Sequence, residues 1–188
     1  MSSLSPGFLV ASASMTDPHF KRAVVLLIEH QSQGSFGFLI NRPAGISFQG
    51  VAEELGLETS PGEVPDLPVL TGGPIAPHTG WIVFDPKGVE LPEDGAVSVS
   101  HGLSVSASRD LLQTIAKGQG PARRLLALGY AGWDAGQLDE ELKRGTWIPV
   151  DLEEAIVFDT PYEQRWSASL DKLGIDPARL VSHSLPEA

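Results

Sequence analysis

Val24-Val25-Leu26-Leu27-Ile28-Glu29-His30, followed by Gln31-Ser32-Gln33-Gly34 and then Phe36-Gly37-Phe38-Leu39-Ile40-Asn41-Arg42-Pro43, is the stretch that decides the fold. The unbroken β-branched and leucine run predicts a strand buried on both faces, because a one-sided strand would alternate with polar residues. The polar connection ends in glycine and leads into a second apolar run. Together they predict a β-hairpin over about residues 23–41. Pro43 lacks an N–H and ends the pairing.

Outward from this hairpin, residues 7–12 read as a first strand. Ser47 is placed to cap a helix that runs through Leu55 and stops at Gly56. Residues 58–68 and 85–95 read as loops. Val69-Leu70 and Trp81 to Phe84 read as strands on either side of Gly72-Gly73-Pro74. Val97 to Ser100 alternates as a half-buried strand should. Ser108 opens a helix carrying Leu111, Leu112, Ile115 and Ala116 on one face, closed by Gly118. Leu125 to Leu128 reads as a buried strand ending at Gly129.

Asp134 and Gln137 have capping-box spacing, which predicts a helix over about 135–144. Trp147-Ile148 and Ala155 to Phe158 read as strands. Thr160 and Glu163 form a second capping-box pair, with Pro161 in the first turn of a helix that carries Trp166, Leu170 and Leu173 and ends at Gly174. A loose tail is expected from Ser182. These elements amount to seven or eight strands and four helices. The expected class is α+β: a single domain over residues 1–188, core about 7–174, with helices around a strongly curved mixed sheet.

Composition removes several chemistries. The chain has no cysteine, so disulfides, thiolate nucleophiles and Cys-ligated metals are excluded. The net charge is −11, with 24 acidic and 13 basic side chains, which repels phosphate backbones and disfavours direct nucleic-acid binding. No apolar run approaches the roughly 20 residues that a helix needs to cross a bilayer. The first residues show no basic segment followed by an apolar one, so no secretory signal is read and a cytoplasmic setting is expected.

Taken in order, the motifs of the hairpin, Gly72-Gly73-Pro74 and Leu128-Gly129-Tyr130-Ala131-Gly132-Trp133 with Gly136-Gln137-Leu138 resemble the AlgH/YqgE family of conserved bacterial proteins, over about Gly7 to Gly174. The resemblance implies a compact α+β domain with a barrel-like, bifurcated sheet. It implies no established catalytic activity, and some relatives are called transcriptional regulators on genetic grounds. Relatives often carry cysteine where this chain has Ile28, and Leu-His where it has Phe84-Asp85. A thiol-based role is therefore closed to this chain.

Candidate site residues each have two readings. Arg42 is built to grip a phosphate or carboxylate with Asn41 beside it, or else both fix a turn. Gly72 and Gly73 form an anion nest, or else a tight turn; no P-loop or dinucleotide fingerprint follows them. Tyr130 and Trp133 stack on a ring-bearing ligand at a strand end, or else pack the core. Glu29 and His30 are neighbours on a strand and face opposite ways, so they do not share one site. The five histidines show no metal spacing, so neither metal nor other cofactor is expected. No Gly-x-Ser-x-Gly elbow surrounds Ser106 or Ser108, which read as caps. The expectation is a non-enzymatic regulatory protein acting through a protein partner or small ligand. The alternative is an enzyme or ligand-gated protein with a cleft formed by Asn41-Arg42, Gly72-Gly73 and Tyr130-Trp133.

Overall fold

The computed structural model describes residues 4–60, 62, 65–90 and 95–176. In chain order the elements are β1 (Gly7–Ala11), β2 (Val24–Gln31), β3 (Gly34–Leu39), α1 (Phe48–Leu55), β4 (Val69–Thr71), β5 (Ile75–Phe84), β6 (Ala96–Ser100), β7 (Leu103–Ser106), α2 (Arg109–Ala116), β8 (Arg124–Asp134), α3 (Gln137–Lys143), β9 (Trp147–Asp151), α4 (Glu154–Phe158) and α5 (Tyr162–Asp171). The tail expected from Ser182, and His183 within it, lie outside the described residues. No helix among the described residues is long and apolar enough to cross a membrane.

The strands form one curled sheet in the order β6-β7-β5-β8-β3-β2-β1-β9, with β4 added alongside β8. Every pairing is antiparallel except β4 with β8. The predicted hairpin is β2 with β3, and Val24 to Leu27 is buried on both faces as its sequence requires. The sheet curls into a half-barrel whose concave face carries Leu26, Phe38, Val83, Val105 and Leu125, covered at one end by Ile156, Val157, Trp166 and Leu170 of α4 and α5. On the convex side α1 and α2 cover one half of the sheet, and Leu138 of α3 covers the other. Ser47 and Ser108 cap α1 and α2 through their hydroxyls, and Gly56 ends α1 in the left-handed conformation, as their positions in the sequence imply.

Five expectations need correction. The described residues hold nine strands and five helices, more than predicted. β7 was not predicted: Ser106 reads as a cap, yet it and Ser104 are both buried within a strand. Ala155 to Phe158 is helical, because its apolar residues close the half-barrel's end, and that burial overrides their β-propensity. β8 does not stop at Gly129 but passes through it: this left-handed glycine (φ +74°) stands where the register slips, with residues 76–79 of β5 opposite it, and pairing resumes between Tyr130 and Ile75.

The capping boxes are the last correction. α3 begins at Gln137, whose side chain reaches back to the N–H of Asp134, while the Asp134 side chain makes no cap. At α5, Pro161 is itself the cap residue and the Thr160 hydroxyl donates to Ala155 instead. Smaller differences are that β5 starts at Ile75, that Leu173 is exposed, and that Val97 is exposed although its strand alternates.

Candidate functional site

The concave face is not filled along its whole length. Beyond the plug of α4 and α5 it opens into a cleft of about 490 Å3 lined by Ile28, Phe36, Trp81, Val99 and Val105, with Glu29 at its rim. Two local features build it.

The first is a β-bulge. The register of β2 against β3 pairs Leu27 with Gly37 and Glu29 with Phe36, which leaves Ile28 as the extra residue. Strict alternation would put Ile28 and Glu29 on opposite faces; the bulge turns both into the cleft. His30, the next residue, faces the convex side, where its ring meets Ser35 Oγ at 2.6 Å and Asp139 Oδ1 at 3.2 Å.

The second is an aromatic cluster with a free donor. Trp81 packs against Phe38 and Phe36 at ring separations of 5.7 and 6.4 Å, and Phe36 meets Tyr130 edge-on at 6.2 Å. The Trp81 indole N–H is buried and has no hydrogen-bond partner among the described residues. A buried unsatisfied donor costs about 1–3 kcal/mol. The remaining tryptophan N–H groups are satisfied, by Glu141 for Trp133 and Trp147 and by the Ala11 carbonyl for Trp166.

The Ser35–His30–Asp139 chain has the order of a hydrolytic relay, and sequence reasoning missed it because its members lie on two strands and a helix. Ser35 is paired on both sides, with His30 and with Trp133, so the N–H groups of β3 are committed to ladders and offer no oxyanion donors. It is a clamp that fixes α3 to the sheet. Among the described residues no three His, Asp or Glu side chains converge as a metal-ligand set. Titration is perturbed elsewhere: burial lowers Arg124 and Arg165 and raises Tyr162. Arg165, also missed, is buried, donates to the carbonyls of Thr160 and Ile40, and stacks over Tyr162 at 4.7 Å, tying the plug to the sheet.

The architecture has close counterparts among known proteins. A family model described as AlgH-like matches residues 8–178. The chain belongs to the AlgH-like family. A UPF0301 protein of Anaeromyxobacter dehalogenans is 42% identical over 179 residues, covering 93% of this chain and 90% of that protein. One from Xylella fastidiosa is 40% identical over 176 residues, covering 94% of this chain and 92% of that protein. The solution structure of the AlgH protein from Pseudomonas aeruginosa superposes with a TM-score of 0.77 at 36% identity, covering 100% of this chain and 99% of that one. Protein DIP2367 from Corynebacterium diphtheriae shares the fold, with a TM-score of 0.71 at 23% identity over 98% of this chain and 94% of that one.

In this AlgH-like chain the motif residues named from the sequence are linked through backbone rather than gathered round one cleft. Asn41 accepts from the Val24 N–H at 2.9 Å and donates to the Arg22 carbonyl at 2.8 Å. Arg42 donates to the Lys21 carbonyl, and its own carbonyl accepts from Thr71. Both side chains thereby hold the turn that feeds β2.

Gly72 donates to Leu128 and accepts from Leu39, bridging β8 and β3. A Cβ on Gly72 would stand 2.3 Å from the Gly129 carbonyl oxygen, and one on Gly73 2.1 Å from the Tyr130 carbonyl carbon. The two glycines let a turn lie against β8. Tyr130 faces the concave side and packs against the core there, while Trp133 is buried on the convex side beneath α3. Of the six, Tyr130 is the one that joins the aromatic cluster of the cleft.

Proposed function

We propose that this AlgH-like protein is a non-enzymatic regulatory protein that acts by holding a protein partner or small ligand in the concave cleft. The observation that carries this reading is the pairing of the bulge, which sets the exposed Glu29 carboxylate at the cleft's rim, with the buried Trp81 N–H, unpaired among the described residues, behind an aromatic wall. Bulges that re-aim a side chain, and buried donors left unpaired, are features that folds keep for binding. Aromatic faces beside a carboxylate suit a ligand with a cationic or polarised apolar group. The cytoplasm is the proposed setting. Direct DNA binding is disfavoured by the charge of −11, so mobility-shift assays at near-physiological salt should show no tight sequence-specific complex.

A melting-shift screen against metabolites and peptides tests the reading, run on the wild type, Trp81→Phe and Arg42→Ala. A ligand at about a hundred times its Kd stabilises the native state by about 2.7 kcal/mol. A shift lost in Trp81→Phe and kept in Arg42→Ala supports the cleft. The reverse pattern overturns it and moves the ligand to the Asn41-Arg42 turn, where an anion would have to displace the Lys21 carbonyl.

A further inference from the structure

Among the described residues the outermost strands of the sheet, β6 and β9, each have a free edge, and the two are built differently. β9 carries Pro149 at its centre and Asp151 at its end, both of which discourage another strand from pairing. β6 reads Ala96-Val97-Ser98-Val99-Ser100, with no proline and no charge. Among the described residues it pairs only with β7. The irregularity between Ser98 and Ser100 leaves Ala96, Val97 and Ser98 in regular register. An unguarded edge of this kind is a template for an added strand.

That edge is also one lip of the cleft. Gly95 to Val99 line it on one side, and Ile28 and Glu29 line it on the other. Val97 lies on this lip and is 61% exposed, an apolar side chain with nothing over it among the described residues. Glu29 faces it across the opening. Its carboxylate accepts from Gln31 at 2.6 Å and forms no ion pair among the described residues. A strand added to β6 would continue the curl of the half-barrel, and alternate side chains of that strand would turn into the cleft.

Resting on the cleft as the binding site, we propose that β6 docks an extended, positively charged segment of a protein partner. The segment pairs with β6 through its backbone and places a lysine or arginine against Glu29, its aliphatic stem over Trp81 and Phe36. Charge selects this occupant, since a net −11 and a carboxylate at the cleft's rim attract a basic strand and repel an acidic one. A second copy of the chain fits less well. Pairing β6 with itself would join two like-charged molecules through a strand of five residues.

The test uses fluorescein-labelled decapeptides in which valine alternates with lysine or with glutamate, and the lysine peptide N-methylated at every second residue. The lysine peptide should bind the wild type, and the glutamate and N-methylated peptides should bind at least about tenfold more weakly. Glu29→Gln should weaken the lysine peptide by about tenfold as well. Binding should slow amide exchange at whichever of Val97 and Ser98 turns its N–H away from β7.

Failure to bind the lysine peptide at millimolar concentration overturns the proposal. Binding that survives N-methylation but falls with Glu29→Gln overturns strand addition and leaves the cleft reading standing. Binding that needs the peptide's N–H groups but ignores both Glu29→Gln and Trp81→Phe removes the cleft from the account. A concentration-dependent dimer in sedimentation velocity that Val97→Lys dissolves gives the edge to a second copy and also overturns it. Circular dichroism melts of each variant confirm that the fold is kept.

Discussion

Replacing Gly73 with alanine puts a Cβ 2.1 Å from the carbonyl carbon of Tyr130, 2.2 Å from its oxygen and 2.4 Å from the Ala131 nitrogen. All three atoms are backbone of β8, which is hydrogen-bonded to β3 and β5 and cannot step aside cheaply. Overpacking of a tight interior costs about 1–3 kcal/mol. The backbone at Gly73 (φ +155°) adds about 1–3 kcal/mol for a residue with a Cβ. The expected loss is therefore about 2–6 kcal/mol, a large share of the roughly 5–15 kcal/mol that holds a domain together.

Gly56→Ala is the matched control. Gly56 is also left-handed (φ +63°), but a Cβ there meets nothing within 4 Å, so the cost is about 1–2 kcal/mol of backbone strain alone. The gain from a stiffer unfolded chain is common to both variants and cancels in the comparison. Equilibrium urea unfolding gives both values directly. Equal losses in the two variants would refute the claim that Gly73 exists to let the turn lie against β8.

Other consequences can be checked alongside. Glu141 accepts both the Trp133 and the Trp147 indole N–H, at 2.9 and 2.8 Å, so Glu141→Ala should cost about 3 kcal/mol in urea unfolding and Glu141→Gln distinctly less. Asn41→Ala strands the Val24 N–H and the Arg22 carbonyl and should cost about 1–3 kcal/mol, with faster amide exchange at Val24. Burial raises the Tyr162 phenol above its ordinary range, with Arg165 partly opposing. The unfolded chain then ionises first as pH rises, so this group's contribution is full below the usual tyrosine pKa and is lost as pH climbs through the raised value. Ultraviolet titration of the wild type against Tyr162→Phe should show the late-titrating phenol disappear.

The hairpin was legible because its strand is buried on both faces, and an unbroken apolar run has few other homes in a chain of this length. The caps at Ser47 and Ser108 were legible because a hydroxyl before an amphipathic run acts locally. β7 and α4 were not, since each owes its state to where it lands: two serines of β7 are buried in the sheet, and the apolar run of α4 closes the half-barrel. Glycines 72, 73 and 129 announced tight geometry, but not that they abut one another. The cleft was the least visible feature. The bulge at Ile28 breaks the alternation on which sequence reading depends, and alternation alone gives no reason to set Ile28 and Glu29 on one face. Trp81 read as a core or groove residue of a strand, and that its N–H finds no partner among the described residues is a fact of three dimensions.

The most direct test of the cleft is a nuclear magnetic resonance titration that follows the four indole N–H resonances. Trp133, Trp147 and Trp166 are internally bonded, so the Trp81 signal should move with ligand while those three stay, together with the amides of Glu29, Phe36 and Val97. A bound ligand that leaves the Trp81 indole still and shifts Asn41 and Arg42 instead would contradict the account.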